Sequence, residues 1–256
     1  MTATLALRDC STMLRRQLRH LQRYPSLTLM LAGIPVIFLL LFVYVLGGTL
    51  GTGLGGDRGD YATYVTPGVL LMTVGAAVNG TSVSVAMDMT EGIVARFRTM
   101  AIFRPSVLTG HVLGSTVQTA LSVLVVACVA VLVGFRPGAG VAGWLGALGV
   151  IAAFSLALIW LGVALGMSAG SVETASNTPM PLMLLPFLGS GFVPTESMPA
   201  GLRWFADHQP FTPVIEAVRA LLMGTPAGGH VAAALAWSAA IGIGSYLWAV
   251  RRYNRR

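Results

Sequence analysis

The chain is built from a series of apolar runs, each close to the length that spans a lipid bilayer, and that series limits the fold more than any other feature. A hydrocarbon core about 30 Å thick is crossed by roughly 20 helical residues. Candidate runs lie at residues 26–47, 64–87, 106–133, 141–167, 176–193 and 230–250. Only 10% of the residues are charged, against about a quarter in soluble proteins. An ordinary soluble domain is excluded. The expectation is an all-α polytopic membrane protein, a single transmembrane domain over residues 1–256 with six transmembrane helices.

The 16 cations are all arginine, and the net charge is +7. They are not pooled in one segment with interleaved aromatics, so nucleic acid is not the expected partner. They sit at the edges of apolar runs, and cationic loops stay on the cytoplasmic side. Six spans with both termini inside place Arg8, Arg15, Arg16, Arg19 and Arg23, then Arg96, Arg98 and Arg104, then Arg251, Arg252, Arg255 and Arg256 in the cytoplasm. Arg58, Arg136, Arg203 and Arg219 fall outside. Leu7, Leu14, Leu18 and Leu21 recur at near-helical spacing within residues 5–24. That segment reads as an amphipathic helix on the inner membrane surface, its alternative being a basic tail. No removable signal peptide is expected, and Cys10 and Cys128 define no disulfide or metal framework.

Residues 88–104 form a polar island between the second and third runs, with Asp88, Glu91, Arg96, Arg98 and Arg104. Ile93, Phe97 and Met100 or Ala101 share a helical face. The segment reads either as a helix resting its apolar side on the membrane domain and offering charges to a partner, or as a solvated connection.

Other motifs point away from catalysis. Gly166-Met167-Ser168-Ala169-Gly170 fits the hydrolase pattern G-x-S-x-G, but it ends an apolar helical run where that motif needs a strand. Gly162, Gly166 and Gly170 instead form a small-residue face that lets helices approach closely. The four histidines are scattered, and no metal site is expected. His111 reads as a snorkelling or hydrogen-bonded side chain. Asn79 and Gln118 are the amides deepest in apolar runs, and either bond across helices or line a substrate path.

In the fifth run, Pro179, Pro181 and Pro186 are expected to kink the helix or reduce it to a short piece. Residues 194–229 then hold two helical pieces, the second starting with Thr212 as N-cap and Pro213 at the first helical position. They read as a cap on the outer face, partly dipping into the bilayer.

Two stretches, EGIVARFRTMAIFRPSVLTGHVLG at 91–114 and GFVPTESMPAGLRWFADHQPFTPVIEAVRALLMG at 191–224, resemble the permease subunits of ABC type-2 exporters, especially the daunorubicin-resistance branch. With the six-span layout, the resemblance covers essentially the whole chain. It implies that 88–104 is the coupling helix docking in a separate ATP-binding subunit, with Glu91, Gly92, Arg96, Phe97 and Arg98 at the motif positions. Residues 5–24 become the connecting helix. Residues 194–229 become partly re-entrant external helices, with Phe192, Pro194, Pro199, Pro213, Glu216 and Arg219 as the candidate external gate. A P-loop requires a lysine on the phosphates, and this chain contains none. ATP and Mg are therefore expected in the partner, present in two copies, beside a second permease subunit. The implied function is export of a hydrophobic or amphipathic compound across a bacterial inner membrane. A polysaccharide or lipid-glycan exporter permease is the alternative within the family. An ion-driven transporter and an intramembrane hydrolase are the rivals outside it.

Overall fold

The computed structural model describes residues 25–53, 56–91 and 105–255, and the described residues are helical with connecting turns. Helix α1 (Pro25–Leu40) runs through a π-helical turn (Leu41–Leu46) into α2 (Gly47–Gly53). Helix α3 (Arg58–Thr90) is followed by α4 (Pro105–Val133) and α5 (Val141–Ser168). Short helices α6 (Val172–Asn177) and α7 (Met180–Leu184) lead to a 3-10 turn (Thr195–Ser197). Then come α8 (Ala200–His208), α9 (Phe211–Met223) and α10 (His230–Arg255).

Five stretches are long and apolar enough to cross a membrane: Leu31–Gly53, Arg58–Thr90, Thr109–Val133, Val141–Ser168 and His230–Tyr253. The expected span at 176–193 is not a continuous helix. Prolines lack the N–H an α-helix needs and clash with the preceding turn. Pro179 and Pro181 bracket the start of the five-residue α7, and Pro186 follows its end. The chain then proceeds through turns to Val193.

Helix α3 begins earlier than the apolar run it contains. Asp57 Oδ1 accepts from the N–H groups of Gly59 at 2.6 Å and Asp60 at 3.0 Å, and Asp60 Oδ2 accepts from the Asp57 N–H at 2.9 Å. This capping box satisfies the first orphan donors and moves the start of α3 to Arg58.

Helix α3 is the centre of the bundle. In its most apolar stretch 72% of residues are buried within the protein, against 17% for α10. Since lipid is as apolar as leucine, helices here associate through close packing and hydrogen bonds. Close packing is visible along α5. A Cβ on Gly162 would lie 2.8 Å from the Val78 carbonyl oxygen, and one on Gly166 2.9 Å from Val85 Cβ. Gly170 has nothing within 4 Å, so the small-residue face consists of the first two glycines.

The core falls into two parts. The larger contains Leu39, Tyr61, Val65, Leu71, Phe154, Phe211 and Ile215, towards the end of the bundle where α3 begins. The smaller, at the opposite end, joins Val85, Val112, Ile159, Val163, Met167, Ala249 and Tyr253 from α3, α4, α5 and α10.

Candidate functional site

At the end where α3 begins, α9 is held in the bundle by its apolar face and by one arginine. Phe211, Val214, Ile215, Val218 and Leu222 are buried, and Phe154 meets Phe211 edge-on with centroids 5.0 Å apart. Arg219, three residues after Glu216, pairs with that carboxylate through Nη1. Its Nη2 donates to the carbonyls of Ser190 at 2.6 Å and Tyr64 at 3.2 Å, and its Nε donates to Tyr64 at 3.3 Å. The guanidinium lies over the Tyr64 ring. Tyr64 Oη in turn donates to the Ser190 carbonyl at 3.1 Å. One planar cation thus ties α9, α3 and the turn after α7 together, using the forked donor geometry that lysine lacks.

Pro194, Pro213, Glu216 and Arg219, four of the six expected gate residues, line a cleft of about 430 Å³ together with Tyr64, Glu196, Asp207 and His230. Phe192 is buried beneath them. Its ring stacks on Phe187 at 4.4 Å and packs on Phe42 at 4.5 Å, while its carbonyl accepts from Tyr61 Oη at 3.3 Å. Pro199 stands apart, exposed at the start of α8.

Helix α9 does not start as its sequence suggests. Thr212 is not the N-cap: the helix opens at Phe211 after Pro210, with Pro213 in its third position. Gln209 takes the capping role. Its Oε1 accepts from the Phe211 N–H at 3.1 Å, and its Nε2 donates to Thr212 Oγ1 at 3.0 Å and to the Leu185 carbonyl at 3.2 Å. A proline within the first turn removes no helical bond, because those N–H groups have no intrahelical acceptor.

Asn79 Nδ2 donates to the Ser176 carbonyl at 2.6 Å, and Ser82 Oγ to the Ala175 carbonyl at 2.9 Å. Both anchor α6 on α3. Gln118 is half-buried on α4.

At the far end of α3, Glu91 is the exposed C-cap residue. Gly92, Arg96, Phe97 and Arg98 lie outside the described residues, as do residues 92–104 and 1–24 as a whole. Close to Glu91 the structure holds a contact that the sequence did not reveal. His111 Nε2 and Asp88 Oδ2 are 3.0 Å apart, and both side chains are largely buried.

Among the described residues, the buried Ser168 Oγ has no hydrogen-bond partner, and none of them is placed as a base to activate it. Among the described residues, no group of three or more His, Cys, Asp or Glu side chains is placed to hold a metal ion.

Comparison with known proteins follows the same lines. The family profile described as ABC-2 type transporter matches residues 8–223. The daunorubicin resistance ABC transporter permease protein DrrB1 of Streptomyces coeruleorubidus is 30% identical over 232 residues, 90% of this chain and 80% of that protein. The probable doxorubicin resistance ABC transporter permease protein DrrC of Mycobacterium tuberculosis is 27% identical over 212 residues, 81% of this chain and 74% of that protein.

Proposed function

The chain belongs to the ABC-2 type transporter family, and from that premise we propose that it is the permease subunit of an ATP-driven exporter of hydrophobic or amphipathic compounds. The carrying observation is an ABC-2 type transporter match spanning residues 8–223 in a chain that contains no lysine. Membrane spans are present, and the P-loop lysine is not. ATP and Mg belong to a separate ATP-binding subunit, two copies of which act on two permease subunits. The complex sits in a bacterial inner membrane with both permease termini in the cytoplasm. Relatives named for daunorubicin and doxorubicin resistance support an anthracycline as the first compound to try.

In this reading, nucleotide-driven closure of the ATPase pair pushes on residues 88–104, with Glu91, Gly92, Arg96, Phe97 and Arg98 at the contact. The spans respond as packed bodies. The cleft under α8 and α9 then lies on the outer side, and the Arg219 network holds it closed. Asn79 and Gln118 are candidates for the path between.

The test is co-expression with a P-loop ATPase encoded beside this chain. Inverted membrane vesicles are expected to accumulate doxorubicin with ATP, also when the proton gradient is collapsed by an uncoupler. Accumulation that follows the proton gradient and ignores ATP would overturn the reading.

A further inference from the structure

Helices α3 and α4 are joined by a row of polar contacts that runs to the end of the bundle. Thr81 Oγ1 donates to Ser115 Oγ at 2.9 Å. Ser84 Oγ lies 3.4 Å from His111 Nδ1. The His111 Nε2 contact with Asp88 closes the row at 3.0 Å. Positions 81, 84 and 88 repeat at i, i+3 and i+7 on one face of α3, and 111 and 115 are i and i+4 on α4, so two antiparallel helices meet along a single polar seam. A carboxylate accepts only, so Nε2 carries the proton facing Asp88, and in the neutral imidazole Nδ1 then accepts from the Ser84 hydroxyl. The side chains of His111 and Asp88 are 8% and 11% exposed. A buried, charge-assisted contact is shorter and stronger than a neutral one and is sensitive to removal of either partner.

Asp88 precedes the end of α3 by two residues, and His111 lies six residues inside α4. The pair therefore stands at the base of the connection formed by residues 92–104. The neighbouring core, Val85 and Val112 with Met167, Ala249 and Tyr253, extends the same junction to α5 and α10.

We propose that Asp88 and His111 are positioning residues that lock the adjoining ends of α3 and α4 into one rigid unit, so that a push on the connection between them moves both helices together. The pair stays closed throughout the transport cycle. This rests on the reading of residues 88–104 as the contact with the ATP-binding subunit.

The test uses the full chain with its ATP-binding subunit in proteoliposomes, measuring co-purification, ATPase rate and doxorubicin transport. If the wild-type complex fails to assemble or transport, the functional reading fails, and the pair is not at issue. With a working wild type, Asp88→Asn and His111→Ala are each expected to lower transport per ATP hydrolysed by about fivefold or more. Co-purification and ATPase rate stay near wild type. His111→Gln, which keeps an N–H donor of similar reach, is expected to restore most of the ratio. The Asp88→Asn, His111→Ala double variant is expected to be no worse than the poorer single one. An unchanged ratio, or a fall in assembly and ATPase rate in step with transport, would overturn the proposal. A second measurement decides the matter if these variants fail to reach the membrane. Asp88→Cys and His111→Cys, combined with Cys10→Ser and Cys128→Ser, are joined in the assembled complex by a short cross-linker that forms reducible disulfides with both thiols. Cross-linking is expected to raise transport per ATP hydrolysed above that of the same variant before cross-linking, and a loss of transport that reverses on reduction would show that the pair must open and overturn the proposal.

Discussion

The guanidinium carbon of Arg219 lies 3.9 Å from the centroid of the Tyr64 ring, while the same group donates to the Tyr64 and Ser190 carbonyls. Lysine can keep the charge but not the fork or the stacking. Arg219→Lys is expected to destabilise the purified protein by about 2 kcal/mol or more, because charge-assisted bonds to backbone carbonyls are lost at a largely buried site. Thermal unfolding in detergent measures it, and an unshifted transition would show that charge alone matters there.

Gly162 and Gly166 touch α3, whereas Gly170 faces open space. Gly166→Ala is expected to cost about 1–3 kcal/mol through overpacking, and Gly170→Ala well under that. Equal effects on thermal stability would contradict the contact pattern.

Asn79 bonds the Ser176 carbonyl. Asn79→Leu is expected to cost about 0.6–2 kcal/mol, the range for a hydrogen bond between membrane helices. Resistance profiles against several compounds separate its two roles. A uniform loss marks an anchor, and an altered order of compounds marks a path residue.

Glu91→Ala combined with Phe97→Ala is expected to lose the ATP-binding subunit or to separate ATP hydrolysis from transport. Co-purification and drug resistance of the double variant provide the measurement. Wild-type values for both would remove residues 88–104 from the coupling role.

Long apolar runs were legible because hydrocarbon imposes one length and one backbone solution. Helix α5, for example, runs without a break over Val141–Ser168. The effect of Pro179, Pro181 and Pro186 was also legible, since a missing N–H acts locally. Less legible was anything decided across the bundle. Thr212 is a sound N-cap by local chemistry, yet the helix opens after Pro210, where the Gln209 amide bonds the Phe211 N–H, Thr212 and the Leu185 carbonyl across the bundle. Asp88 and His111 are 23 residues apart. Each looks like an ordinary boundary residue until α3 and α4 are laid antiparallel, and only then do 81, 84 and 88 face 111 and 115. Of the candidate gate, the sequence marked Glu216 and Arg219 but not the Tyr64 and Ser190 carbonyls that also accept from Arg219, because backbone carbonyls carry no side-chain signature.

The capping box at Asp57 and the C-cap at Glu91 delimit a single unbroken helix of 33 residues. At 1.5 Å per residue it is about 50 Å long, well beyond the hydrocarbon it crosses. The Arg219 network grips it near one tip and the Asp88 pair near the other, which gives α3 the mechanics of a lever. A pivot of about 10° at its midpoint would displace each tip by about 4 Å, carrying the joined end of α4 along at the Asp88 tip and parting hydrogen bonds of ordinary length at the Arg219 tip.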